Sequence, residues 1–250
     1  GIIKILPLLI RDWYGFRNHI VKYLALWISI PVLIHILIAV PLSRLISLEV
    51  RYLNWAAAGI WFTSTGMVSF LETSLRIQKI NYETTQIDII LQSPISNFEI
   101  LLVLSLGGII FGFIQFIFAI LITCTLNHEY LGTLSTLMTM IQVMAVILFF
   151  SVLGILLGIL IPNRIICIQI SLALFIIISM GMGAFIPINS YPTSYLAIIN
   201  KIPLVIVMQN IQSIIIHQSI QWISFFLTLL LSIILFFITL ITSNKVFRKI

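Results

Sequence analysis

Charge is what this sequence has least of. Only 8% of its 250 residues are Asp, Glu, Lys or Arg, against about a quarter in an ordinary soluble domain. Cysteine is nearly absent: Cys124 and Cys167 stand far apart and form no CxxC, which leaves a zinc or dithiol redox site without its ligands. Both read as small packing residues. The sequence holds no HExxH, no GxSxG, no paired-aspartate metal motif and no Walker glycine loop. Zinc-peptidase, serine-hydrolase and P-loop chemistries therefore lack the groups they run on. The 13 Lys and Arg are scattered along the chain, whereas a nucleic-acid partner needs them gathered on one face. No catalytic residue, no metal and no cofactor is expected in this chain, and no nucleic acid.

What fills the space is apolar. Hydrophobic residues make up 61% of the chain, and mean hydropathy is +1.21. No soluble core conceals that much apolar surface, so the solvent is lipid. A span needs ~20 mostly apolar residues, and six are expected, over about Ile20–Leu42, Leu53–Leu75, Phe98–Leu126, Leu134–Ile161, Ile165–Phe185 and Trp222–Ile241. The expected fold is an all-α membrane protein, one domain over residues 1–250.

Orientation follows from Lys and Arg, which concentrate on the cytoplasmic side. With the N-terminus inside, Lys4, Arg11, Arg17, Lys22, Arg76, Lys79, Arg164, Lys245, Arg248 and Lys249 are cytoplasmic, and Arg44, Arg51 and Lys201 are external. Both termini are expected in the cytoplasm.

Three segments interrupt the apolar pattern. In residues 1–18, Lys4, Arg11 and Asn18 recur on one helical face, while Ile3, Leu6, Ile10, Trp13 and Tyr14 fall elsewhere. That suits a helix lying in the interface, or a ragged lead-in to the first span, since Pro7 and Gly15 both weaken a helix. In the loop 76–97, Ile87, Ile90 and Leu91 share a face opposed to Glu83, Thr84 and Asp88. This predicts a short amphipathic surface helix stopped by Pro94. Ser96-x-x-Glu99 then fits a capping box that starts the third span. Residues 184–221 carry Pro187, Pro192 and Pro203 with Tyr191 and Tyr195. They are too apolar for an exposed loop and too broken for a span, and short helices dipping into the outer leaflet fit them.

Within the spans, Gly108/Gly112 and Gly154/Gly158 are small-xxx-small pairs suited to close helix packing. Glu72 and Arg76 are spaced for a helical ion pair, either structural or a polar hinge above the 76–97 loop. His35 is a packing or a pathway-lining group, and His128 and His217 are lone external histidines with only a remote haem-ligand reading. Trp27, Trp61, Phe62, Phe111 and Phe118 either line a path, or face lipid or pack in the core.

Taken in order, "IRDWYGFRN", "ISIPVL", "SFLETSLRIQ", "YETTQIDIILQSPISNFEILL" and "GMGAFIPINSYPTSYLAIINKIPLVIVMQNIQSI" resemble the membrane (permease) subunit of ABC type-2 exporters, the branch with nodulation-factor, polysaccharide and drug exporters. The resemblance covers nearly the whole chain. It implies a transport subunit, not an enzyme, in a bacterial plasma membrane. It implies pairing with a second permease copy or paralogue, and a separate ABC ATPase subunit that carries ATP and magnesium. The surface helix becomes a coupling helix docking on that ATPase through Glu83, Thr84, Gln86, Ile87, Asp88, Ile90, Leu91 and Ser93. Arg11, Asp12 and Trp13 of the interfacial helix touch the ATPase as well, and Pro187, Tyr191, Pro192 and Pro203 belong to an outer gate of re-entrant helices. The implied cargo is a lipid-linked glycan, a lipid or an amphipathic small molecule. The charged ERE-x-GT form common in the family's loop is replaced here by "NYETTQ". Two rivals differ in class. A proton-driven secondary transporter needs a midplane carboxylate, and only Glu72 comes near. A membrane-embedded lipid-modifying enzyme needs clustered polar catalytic groups.

Overall fold

The computed structural model describes residues 10, 14, 16–48, 50–82, 96–128, 132–161 and 163–247, and these form helices and connections without a strand. The first long helix, α1 (Ile20–Leu42), contains Pro31 and a π-helical stretch, His35–Ala39. Pro31 has no N–H for the carbonyl four residues back, that of Trp27. Gln115 of a neighbouring helix donates its amide Nε2 to that carbonyl at 3.2 Å, which is how a membrane helix tolerates an internal proline. Next come α2 (Tyr52–Tyr82), α3 (Asn97–Asn127), α4 (Thr133–Leu160) and α5 (Arg164–Gly181). After a 3₁₀ turn at Ile188–Ser190, the short α6 (Thr193–Ile199) and α7 (Pro203–His217) meet at 97°. The last helix is α8 (Trp222–Phe247).

Five helices, α1, α3, α4, α5 and α8, are long and apolar enough to cross a membrane, or up to six if the bent α6–α7 pair is counted. The composition of α2, expected as the second span, does not reach that level although the helix is 31 residues long. The reason is where its polar groups go. Thr63, Ser64, Thr65, Ser69, Thr73, Ser74 and Gln78 are all buried. The exposed surface instead belongs to residues such as Val21 and Leu37 on α1, Ile176 and Ile177 on α5, and Ile223 and Phe226 on α8. Polar inside and apolar outside is the reverse of a soluble domain and matches a lipid solvent. The chain is an integral membrane protein by this pattern.

The hydroxyls on α2 are satisfied without water. Thr63 donates to the Gly59 carbonyl at 2.7 Å and Thr65 to that of Trp61 at 2.6 Å. Others cross to neighbours: Ser69 to the Ile147 carbonyl at 3.0 Å, Thr73 to that of Ser151 at 2.9 Å. Ser151 in turn donates to the Ser105 carbonyl of α3 at 3.1 Å. Both predicted small-residue pairs lie on these contacts. A Cβ on Gly154 would run into Thr73 Oγ1 and the Phe70 carbonyl, and one on Gly158 would sit 2.7 Å from the Ser74 carbonyl. Gly108 faces Thr73 and Ser151, and a Cβ on Gly112 would lie 2.7 Å from Ile147 Cγ2.

The other expected boundaries move for identifiable reasons. The helix α3 begins at Asn97 because Ser96 Oγ accepts from the Glu99 N–H at 3.3 Å while Glu99 Oε2 accepts from the Ser96 N–H at 2.9 Å, the anticipated capping box. The fifth expected span stops at Gly181 rather than Phe185, since Gly183 turns the chain at φ +82°, a region open mainly to glycine. The last helix runs on past Ile241 to Phe247.

Contacts also fix which helix ends lie together. Asn97 donates to Asn244 at 2.7 Å and Gln78 to the Ile161 carbonyl at 2.8 Å. The end of α2, both flanks of the 83–95 segment and the end of α8 therefore share one end of the bundle, here the loop end. At the opposite end, Asn127 donates to the Leu53 carbonyl at 3.0 Å and Tyr52 to that of Phe185 at 2.6 Å.

Because a Cβ on Gly154 meets the unyielding Phe70 carbonyl as well as Thr73 Oγ1, Gly154→Leu is expected to cost at least the ~1–3 kcal/mol typical of overpacking. Ser151→Ala should cost ~0.6 kcal/mol, the usual size of a hydrogen bond between membrane helices. Unfolding titrations in mixed micelles check both. A wild-type midpoint for Gly154→Leu would show that the α2–α4 contact is not tight.

Candidate functional site

At the loop end, Arg76 is the focus. It is an i, i+4 partner of Glu72 on α2, with side-chain exposures of 19% and 14%. Its guanidinium lies 5.0 Å over the Phe111 ring. Gly107 leaves the room: a Cβ there would approach Arg76 Nη1 to 2.8 Å. Phe111 also packs on Phe16, Tyr23 and Trp27 with ring centroids 5.0–5.9 Å apart. The predicted ion pair is thus built into an aromatic junction of α1, α2 and α3. Phe118 stacks on Trp27, while Trp61 and Phe62 are fully buried, so these aromatics are core. His35 is buried in the π-helical turn of α1.

Several predicted residues are not part of this picture. Arg11, Asp12 and Trp13, and the surface-helix residues Glu83, Thr84, Gln86, Ile87, Asp88, Ile90, Leu91 and Ser93, with Pro94, lie outside the described residues.

At the opposite end, the Pro-bearing segment is tied down throughout. Pro187 starts the 3₁₀ turn, Pro192 precedes the first turn of α6 and Pro203 opens α7, positions where a missing N–H costs nothing. Tyr191 donates to the Met180 carbonyl and Tyr195 to that of Gly181 at 3.1 Å. Burial, and then the neighbouring Tyr195, push the Tyr191 hydroxyl above the ordinary tyrosine range. It therefore stays a protonated donor through neutral pH, and its contribution is lost only as pH rises beyond that range. Gln212 donates to the Gly183 carbonyl at 2.9 Å. Asn210 is the knot between α7 and α8: it donates to the Gln221 carbonyl at 2.8 Å and to Ser224 Oγ at 2.7 Å, and accepts from the Gln221 N–H at 2.9 Å. Sequence reasoning singled out Gln115 as a polar group within the third span but passed over Asn210 and Gln212. Each is an amide amid apolar residues, the one available signal.

Beside this segment, among the starts of α2 and α4 and the ends of α3 and α7, is a cavity of about 160 Å³. Asn54, Trp61, Thr123, Asn127, Ser135 and Gln218 contribute to its wall, with Cys124. The indole N–H of Trp61 is already given to Thr123 Oγ1 at 2.8 Å. Asn127 is 3% exposed. Its Nδ2 is held by the Leu53 carbonyl and its main-chain carbonyl by Arg51 Nη1 at 3.0 Å, but its Oδ1 has no protein partner among the described residues. A buried acceptor left so costs ~1–3 kcal/mol.

No metal-holding group of His, Cys, Asp and Glu occurs among the described residues. Comparison with family models, with curated proteins and with solved structures gives no match.

Removing the Asn210 knot by Asn210→Leu leaves the Gln221 N–H without its partner and takes from Ser224 Oγ the donor it accepts from. The expected result is faster proteolysis between α7 and α8 and a lower melting temperature in detergent. Gln115→Leu, which strips the cap from the Trp27 carbonyl, should destabilise by ~1–2 kcal/mol without that change in cleavage pattern.

Proposed function

We propose that the chain is the permease subunit of an ATP-driven ABC type-2 exporter, moving a lipid-linked glycan, a lipid or an amphipathic small molecule. The observation that carries this reading is the bent α6–α7 pair. Its flanks, Gly183 and Gln221, are both bonded to α7, so the chain enters and leaves at one end of the bundle. A helix pair that returns to its own side, just before a final long helix, is a re-entrant element. The six traversals are then α1, α2, α3, α4, α5 and α8, with α2 crossing inside a jacket of the others.

The loop end fits the ATPase-facing side. Arg17, Lys22, Arg76, Lys79 and Arg164 cluster toward it, against Arg44, Arg51 and Lys201 toward the other end, which favours a cytoplasmic loop end with both termini. The 83–95 segment joins two helices of 31 residues each. Motion imposed on it by an ATPase closing around ATP and magnesium would pass directly into α2 and α3 and shift the balance of inward- and outward-open states. A second permease copy or paralogue completes the pathway, with lipid around it. Among the described residues the one carboxylate near the bundle core, Glu72, is paired with Arg76, a poor proton carrier for a secondary transporter.

Co-purification with an ABC ATPase subunit tests the reading. Asp88→Lys and Ile90→Asp should each abolish ATPase capture and transport while leaving the permease folded. Capture and transport at wild-type level in both variants would refute the coupling role.

A further inference from the structure

From the way α8 is tied at its two ends we infer that it is a strut. It carries displacement from the start of α3, beside the 83–95 segment, to the bent α6–α7 pair at the opposite end of the bundle. Asn97 and Asn244 are the positioning residues that join it to its drive. The inference deepens the transport reading and rests on it for what drives the motion, but not for the linkage itself.

Stiffness comes first. The helix Trp222–Phe247 contains neither proline nor glycine, common sources of a kink. By contrast, α1 carries Pro31 and a π-helical stretch. From Ser224 to Asn244 the rise is ~30 Å, about the thickness of the hydrocarbon layer. A push at one end of such a helix arrives at the other.

Both ends are tied, and the length between them is not. At the loop end, Asn97 Nδ2 donates to Asn244 Oδ1 at 2.7 Å. Phe98 meets Phe236 edge-on, with ring centroids 5.7 Å apart. Phe236 and Leu240 also pack against an apolar cluster drawn from α2, α3 and α4, an undirected contact. Asn97 and Phe98 open α3 just after the 83–95 segment, so a shift of that segment reaches them first. At the other end, Asn210 of α7 donates to Ser224 Oγ and to the Gln221 carbonyl, and accepts from the Gln221 N–H.

Between these ties α8 lies mainly on α4. Among the described residues of α8, those buried are Ser224, Thr228, Ser232, Thr239 and Ser243, all of them hydroxyl residues. Thr228, Ser232, Thr239 and Ser243 each donate to a carbonyl of α8 itself. Among the described residues, the one side-chain bond from α8 to α4 is that of Ser224 Oγ to Gln142 Oε1, at 3.4 Å, long for its kind and placed at the outer end. A seam of small side chains, with hydroxyls turned back on their own backbone, has few cross-links to break. Small sliding of packed helices is a known way for a bundle to change state. The opposite face, with Phe226, Leu230, Ile233, Phe237 and Ile241, is exposed and meets lipid.

The Gln221 N–H is the readout, because its acceptor is Asn210 Oδ1 at 2.9 Å. Hydrogen–deuterium exchange of the full chain in lipid nanodiscs, followed by mass over residues 218–224, measures how often that tie opens. Asn97→Ala cuts the drive at the far end and leaves the Ser96–Glu99 capping box in place. The freed α8 should then work loose from Asn210, speeding exchange at Gln221 about threefold, the factor equivalent of one hydrogen bond between membrane helices. Asn97→Asp, whose carboxylate can accept from the Asn244 amide, should restore the original rate. Gln78→Leu removes a bond of the same end that does not involve α8, and should leave exchange at Gln221 unchanged. Ile234→Pro kinks the strut on its lipid face with both end ties intact, and adding Asn97→Ala to it should change nothing further. Should Asn97→Ala fail to fold, Asn244→Ala makes the same cut from the other side. The inference is overturned if exchange at Gln221 is unmoved in the folded Asn97→Ala or Asn244→Ala variant, if Gln78→Leu speeds it equally, or if the effect persists in folded Ile234→Pro. Transmission in a protein that captures no ABC ATPase would uphold the strut and count against the exporter reading alone.

Discussion

The contact between α2 and α4 sets the spacing of the whole bundle. Gly154 and Gly158 let the α4 backbone lie almost on the carbonyls of Phe70 and Ser74. In lipid there is no hydrophobic gain in bringing two helices together, so close packing and hydrogen bonds must do it. Both are present here. The same turns that lack side chains also place Ser69 and Thr73 on the Ile147 and Ser151 carbonyls. From this seam α3 is positioned through Ser151 and Ser105, and through α3 the first helix is held by Gln115.

That arrangement explains how a chain with so few charges can hold so many buried polar groups. Most serines and threonines donate to carbonyls of their own helix, which need no tertiary partner. The amides are kept for carbonyls that the backbone leaves open. Gln115 covers the one freed by Pro31, Gln212 covers Gly183 at the turn after α5, and Asn210 bridges the gap before α8.

Most of this was legible in order but not in depth. Long apolar runs gave five helices directly, and Ser96-x-x-Glu99 gave the start of α3 because a capping box is a local device. The two glycine pairs pointed to the tight seam, since only a missing Cβ permits such an approach. The central helix was the hard case. Its hydroxyls lower its apolarity below that of its neighbours, and composition cannot tell a polar group facing another helix from one facing water. The cavity was not legible at all. Asn54, Asn127, Ser135 and Gln218 come from four separate parts of the chain and meet only through tertiary packing. The mid-helix Pro31 was visible, yet its carbonyl partner, Gln115, is a matter of helix rotation.

The length of the two central helices has a mechanical meaning. At 31 residues each, α2 and α3 reach ~46 Å, while the hydrocarbon layer is only ~30 Å thick. Each is gripped near its middle by the glycine seam, with Phe70 and Thr73 on one and Gly108 and Gly112 on the other. A rod held at mid-length and overhanging its support is a lever. A rotation of a few degrees at the grip is barely felt by the packed side chains, yet becomes a displacement of ångströms at the tips. A tilt about that grip moves the two tips in opposite directions, with the fulcrum made of atoms that are not there.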